Sequence, residues 1–339
     1  MTPRGRTLLT AWAGVAVLTL LMFFLPVPYV VLTPTTPTNT LGADPNSTAT
    51  PVLRVHGPSY PTSGKLQLTT VGVVDQVSLG VALLRWVQHR YAVVPRSVVY
   101  PPDKPKSEVD KENVKEMADS RSSALVAALR ELDYPDTIVG DFSAGSKAKG
   151  VIDVGDRIVG LDGKPVVKLS DIRDGIAAKK PGETVVVVVE RGGRKLTRKV
   201  ELTSGTTDGV TKTLLGIAPV SVDITLADVS GPSAGLMFSL GIIDKLTPGF
   251  LTGGKNIAGT GTIDVDGTVG SIGGVQQKLF GARDAGAGWF LVPAANCAEA
   301  RAADVPGLVL VKVPGRQGLH QARLDVEQIA AGNTPASRC

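Results

Sequence analysis

Two short runs in the last third of the chain carry residue types suited to acyl transfer. The first runs from Asp228 to Leu240 (DVSGPSAGLMFSL) and places Ser233 at the start of an apolar helix, behind a Gly231-Pro232 turn. The first turn of a helix has backbone N–H groups without intrahelical partners. The N–H groups of Ser233 and Ala234 are therefore candidates to hold an oxyanion. Ala234 and Gly235 are small enough for a substrate backbone to approach. A serine in this place also reads as an ordinary helix cap. The second run is Ser271 to Arg283 (SIGGVQQKLFGAR), in which Gly273-Gly274 opens a helix and Lys278 follows about one turn in. A serine nucleophile needs a base, and none of the three histidines, His56, His89 and His320, sits in a recognisable triad motif. Lysine is the known substitute. It must be neutral to accept a proton, and burial among apolar neighbours such as Leu279 and Phe280 favours that form. The competing reading of Lys278 is a solvated helix lysine. Asp228 reads either as a residue that tunes Lys278 or as a surface turn residue.

These runs belong to a chain of 339 residues, enough for about two domains. The hydrophobic fraction of 43% supports a full core, and the low aromatic content of 4% with many Val, Ala and Gly suits strands packed with small helices. The net charge is only +5, with both signs interspersed and no basic stripe between aromatics, which argues against nucleic acid as a partner. The two cysteines, Cys297 and Cys339, can pair in an oxidising compartment. The alternative is a small core residue and a frayed terminus. Neither has a second ligand at metal spacing, so no metal and no cofactor is expected.

At the N-terminus Arg4 and Arg6 precede an uncharged run from Leu8 to Leu25, close to the roughly 20 residues that span a bilayer. The expectation is a transmembrane anchor in residues 1–32, with a cytoplasmic N-terminus and the rest of the chain outside the cell membrane. A cleaved signal peptide is the rival, but no small-x-small site follows the run. Residues 33–51 are rich in Thr, Pro and Asn and read as a linker, within which Asn46-Ser47-Thr48 fits a glycosylation acceptor. Strand patterns follow over 52–74, and helical spacing over 78–91 and 117–132. A separate β-rich unit then begins. Its Asp162-Gly163 hairpin turn, short helix over 171–178 and nearly all-valine strand over 184–190 have clear local signals.

Val154 to Val166 (VGDRIVGLDGKPV) within this unit resembles the PDZ domains of bacterial proteases, over about 137–205. No clear Gly- and Leu-rich carboxylate-binding loop precedes it around Leu132 to Val139; peptide binding, where present, would use strand addition. Gly231 to Gly235 (GPSAG), Ala258 to Leu279 (AGTGTIDVDGTVGSIGGVQQKL) and Ala285 to Pro293 (AGAGWFLVP) resemble, in order and spacing, the proteolytic domain of Lon proteases. That resemblance puts Ser233 on the family's nucleophile, Lys278 on its general base, and Thr260 on a threonine that helps position the lysine. The family's usual Glu after Thr-Gly is Thr262 here. Met117 to Leu125 (MADSRSSAL) resembles the helix that precedes the catalytic half. The order of parts, with the run Asp244 to Gly249 (DKLTPG), is similar to the membrane-bound PDZ–Lon-like proteins of Gram-positive bacteria.

The implied fold class is α+β: an N-terminal transmembrane helix, then a Lon-protease-like α/β domain with an inserted PDZ-like β-rich domain. The Lon-like parts would be 52–136 and 211–339. No Gly-x-x-x-x-Gly-Lys-Ser/Thr loop occurs, so neither ATP nor an ATPase module is expected. The implied activity is that of an ATP-independent serine endopeptidase acting on peptides or unfolded segments, with a homo-oligomer as the family's usual form. The alternative is an inactive, membrane-tethered peptide scaffold. A trypsin-like PDZ protease lacks its His and Asp motifs here.

Overall fold

The structure is a computed structural model and describes residues 3–45, 47–207, 210–226 and 229–339. Asn46, the expected glycosylation acceptor, and Asp228 lie outside the described residues.

Strands from both halves of the chain meet in one five-stranded sheet, in the order Thr38–Asn39, Lys65–Leu68, Asn256–Gly259, Trp289–Pro293, Val309–Val313. The last four run parallel, and the first is antiparallel to its neighbour. Parallel strands covered on both faces are apolar on both faces, and side-chain alternation separates the two cores. Leu66, Leu68, Ile257, Leu291 and Val311 face the helices Lys106–Glu131, Gly235–Leu246 and Gly318–Ala330. Ala258, Phe290 and Val292 face the helix Val275–Asp284 and the short helix Cys297–Ala302. The disulfide Cys297–Cys339 ties the C-terminus to this second layer.

A second unit has its own core, from Val139 to Leu215. Its antiparallel sheet runs Lys164–Pro165, Arg157–Leu161, Thr184–Arg191, Arg194–Glu201, with the helix Leu169–Ile176 packed through Ile172 and Ile176. Val185, Val187 and Val189 are fully buried, the inward half of the valine run. The chain enters and leaves this unit along one ribbon, in which Val139–Phe142 pairs with Ile217–Pro219. Directly beside it, Leu53–His56 of the first unit pairs with Ser221–Ile224. A Cβ on Gly140 would lie 2.6 Å from His56 O, Pro219 O and Val220 Cα, so this crossing needs glycine.

The chain is mixed α+β, but the expected membrane span is overturned. A helix does form over Pro3–Met22, yet no helix among the described residues is long and apolar enough to cross a membrane. The rest of the uncharged run belongs to the fold. Phe23 covers Gly80, Leu25 O accepts from Leu79 N, and Val27 N donates to Val77 O. The placement of the chain as a single-pass protein with a cytoplasmic N-terminus loses its basis with the span. Nor are residues 33–51 a plain tether. Thr33 and Pro34 end the strand Tyr29–Pro34, which sits between Val71–Val74 and Ala92–Pro95, and Thr38–Asn39 edges the main sheet.

Gly140→Ala is expected to destabilise the fold by more than about 2 kcal/mol, because backbone rather than a flexible side chain blocks the methyl group. Thermal unfolding followed by circular dichroism checks this; an unchanged midpoint would mean that the crossing relaxes freely.

Candidate active site

Ser233 and Lys278 reach one cleft from opposite faces of the main sheet. Ser233 lies in the turn Gly231–Ala234 that leads into the helix Gly235–Leu246, on one face. Gly231 makes the turn with φ 88°. The helix Val275–Asp284, on the other face, starts from Gly274 in the left-handed conformation and carries Lys278. Between them the strand Asn256–Gly259 ends, and its next residue is Thr260. The cleft, of about 520 Å³, is lined by Ser233, Lys278, Pro232, Thr262, Ser271 and Gly273, among others. It opens at the carboxyl end of the parallel strands, where open α/β sheets bind ligands.

Thr260 joins the two sides. Its Oγ1 donates to Ser233 O at 3.1 Å and accepts from Lys278 Nζ at 3.0 Å. Gly261 N also donates to Ser233 O, at 3.0 Å. Thr260 is fully buried and Lys278 is 3% exposed. Burial lowers the Lys278 pKa from 10.5 to about 7. Desolvation penalises the ammonium form, so much of the amine is neutral near pH 7. Ser233 itself is half-buried. Among the described residues, the N–H groups of Ser233 and Ala234 make no backbone hydrogen bond. The run Gly231 to Gly235 also has the Gly-x-Ser-x-Gly spacing of a nucleophile elbow, but no histidine lines this cleft.

Several supporting residues were not assigned a role from the sequence, although Ser120 and Arg121 fall in the run Met117 to Leu125 singled out there. Ser120, on the helix Lys106–Glu131, donates to Pro232 O at 3.1 Å, and Asn113 O of the same helix accepts from Gly231 N at 3.0 Å. Arg121 donates to Leu226 O, and burial lowers its pKa. This helix thereby holds the loop that carries Ser233. Thr35 and Thr70 line the cleft too, their hydroxyl oxygens 2.7 Å apart. Thr35 falls in the stretch expected to be a linker. Cys297 and Cys339 lie away from the cleft lining, behind the helix that carries Lys278.

Residues 225–314 match the family described as "Lon protease (S16) C-terminal proteolytic domain", and residues 131–202 match the family described as "PDZ domain". The chain combines a PDZ domain with a Lon-type proteolytic domain. No curated protein matches it. Among solved structures, the PDZ domain of the SdrC-like protein from Listeria monocytogenes is similar at 25% identity. That match covers 24% of this chain and 85% of that one, with a TM-score of 0.22. The PDZ domain of the SdrC-like protein from Listeria innocua is similar at 25% identity, over 25% of this chain and 92% of that one, with a TM-score of 0.23. The Lon-type domain holds Ser233, Thr260 and Lys278 inside its matched residues. Its first matched residues directly follow the strand Ser221–Ile224 and include Leu226, whose carbonyl accepts from Arg121, and its last lie just past the strand Val309–Val313.

Two outcomes follow from the buried threonine and lysine. Thr260→Val keeps the shape and removes the hydroxyl, and is expected to lower kcat for peptide turnover about 10- to 100-fold. The folded protein is expected to remain intact by near-UV circular dichroism. Lys278→Met removes a buried amine and is expected to raise stability. The sign follows from linkage. The folded pKa lies below the unfolded value, so the wild type gains stability as pH rises from about 7 towards 10.5 and lacks that gain below 7. The stabilisation by Met is therefore larger at pH 6 than at pH 9, by about 2 kcal/mol. Equal stabilisation in denaturant titrations at both pH values would show an exposed lysine.

Proposed function

We propose that the Lon-type domain is an ATP-independent serine endopeptidase, with Ser233 as nucleophile and Lys278 as general base. The observation that carries this reading is the amine of Lys278, brought to about pKa 7 by burial, on the wall of the same cleft as Ser233. A base poised near the working pH transfers protons efficiently. Lys278 Nζ takes the proton from Ser233 Oγ as the oxygen attacks the peptide carbonyl carbon. The N–H groups of Ser233 and Ala234 hold the resulting oxyanion. The Lys278 ammonium gives its proton to the leaving amine as the C–N bond breaks. Water then attacks the acyl-enzyme, Lys278 takes the water's proton, and the proton returns to Ser233 as the acid product leaves. Thr260 holds Lys278 and the Ser233 turn in register and takes no part in proton transfer.

The substrate on this reading is an extended peptide or an unfolded segment. The strand Val71–Val74 has one neighbour, Tyr29–Pro34, and its other edge is unpaired among the described residues. Val71 and Gly72 of that strand line the cleft. A peptide strand adding there gains main-chain hydrogen bonds while its carbonyls approach Ser233. The PDZ domain supplies a second peptide-binding unit, attached through the ribbon at Gly140. ATP has no part in the cycle, since the chain holds no phosphate-binding loop of the Walker type.

The test is turnover of casein and of a fluorogenic peptide panel by the full chain without ATP. Ser233→Ala and Lys278→Met are each expected to lower kcat/KM by at least about 10³-fold. Wild-type kcat is expected to rise through an acid limb near pH 7 as Lys278 loses its proton. Retention of turnover by Ser233→Ala would remove the nucleophile and the mechanism with it.

A further inference from the structure

The segment Ser271 to Gly274 forms one wall of the cleft and leads directly into the helix that carries Lys278. Ser271, Ile272 and Gly273 lie outside any helix or strand, and Gly274 O accepts from Lys278 N at 3.2 Å at the helix start. Both main-chain polar groups of Ile272 are instead satisfied by one side chain. Ile272 N donates to Asn296 Oδ1 at 3.0 Å, and Asn296 Nδ2 donates to Ile272 O at 2.9 Å. The carboxamide acts as a one-residue strand, pairing with Ile272 as a backbone neighbour would. Asn296 is 6% exposed and sits in the turn Ala294–Asn296, after the strand Trp289–Pro293. Its position is fixed from both sides. The strand before it is buried between parallel neighbours, and Cys297 after it is bonded to Cys339. Ile272 is half-buried, so losing this carboxamide leaves both of its main-chain groups without their protein partner beside the cleft.

We propose that Asn296 is a positioning residue for the Ser233–Lys278 site, clamping the wall Ser271–Gly274 and with it the first turn of the Lys278 helix. The inference rests on the peptidase reading above. Its action is indirect, since Asn296 is absent from the residues lining the cleft. Held closed, the wall keeps water from the Lys278 amine, whose depressed pKa has burial as its cause. Freed, the wall admits water, and the amine moves back towards an ordinary lysine. The neighbouring disulfide braces the clamp from behind, and neither of its cysteines lines the cleft.

The experiment uses the full chain as wild type, Asn296→Ala and Asn296→Asp. Aspartate keeps the acceptor for Ile272 N and loses the donor to Ile272 O. It carries the test if the alanine variant does not fold. Two readouts are taken. Hydrogen exchange over residues 270–280 is expected to accelerate in both variants, most in Asn296→Ala, with the PDZ domain unchanged. In peptide turnover, kcat is expected to fall about 10- to 100-fold for Asn296→Ala, with Asn296→Asp between it and wild type. The acid limb of kcat is expected to move to higher pH as the amine becomes wetter. A merely structural role lowers the active fraction, read by titration of Ser233 with a fluorophosphonate, and leaves the acid limb in place; that result overturns the proposal. Unchanged exchange over 270–280 overturns it as well. If wild type neither turns over peptide nor reacts with the fluorophosphonate, the peptidase reading fails. The exchange arm then decides the clamp separately.

Discussion

A single buried hydroxyl links the chemistry to the fold. Thr260 Oγ1 has one proton, which it gives to Ser233 O, so towards Lys278 Nζ it can only accept. Both the neutral amine and the ammonium can donate to it, so the contact survives the proton transfers proposed for the lysine. What changes between the two states is the cost of charge in a site 3% exposed. Desolvation sets the amine near pKa 7, and no charged partner is needed to do so. A geometry that holds whether or not the lysine is charged, with a proton affinity set by burial, is what a lysine base requires.

The main sheet explains why these residues meet at one edge. The helix that follows Ser233 and the helix that carries Lys278 lie on opposite faces, separated by side chains such as Leu291 on one side and Phe290 on the other. Through the middle of the sheet they cannot touch. Only beyond the last paired residue of Asn256–Gly259 does the barrier end, and Thr260 is the first residue there. The long helix Lys106–Glu131 then holds the Ser233 turn through Ser120 and Asn113, and Asn296 holds the opposite wall. The PDZ domain is attached at a ribbon whose crossing is packed around Gly140, so the insertion leaves the main sheet's order intact.

The N-terminal segment shows how an apolar run can mislead. Counting uncharged residues from Leu8 to Leu25 suggests a membrane span, because hydropathy does not show where the helix stops and pairing with the rest of the chain begins. In the fold the run is divided. Met22 ends the helix, and Phe23, Leu25 and Val27 pair or pack with the segment around Val77 to Gly80. The Thr- and Pro-rich stretch after it reads as a tether for a similar reason. Its threonines have the composition of an exposed linker, yet Thr35 is bonded to Thr70 at the cleft and Thr38 pairs with Leu68 at the sheet edge.

By itself the sequence determined the local elements: the glycine turn before Ser233, the glycine start of the Lys278 helix, the valine strand of the PDZ domain and the mixed α+β class. Each of these depends on backbone conformations or apolar periodicities that neighbouring residues specify among themselves. The motifs around Ser233, Thr260 and Lys278 were legible for the same reason, being short and contiguous. Only the tertiary structure decided which elements share a sheet, how the ribbon that joins the PDZ domain is packed, and which side chains support the site. Ser120, Asn113 and Asn296 act on loops 24 to 118 residues away, Asn296 on Ile272 being the shortest and Asn113 on Gly231 the longest of these separations. Ser120 falls in the run Met117 to Leu125 picked out by resemblance, but nothing in the local surroundings of Asn113 or Asn296 distinguishes them from other polar residues. Their roles come from the packing of helices on both faces of one sheet, and burial of the Lys278 amine comes from that same packing.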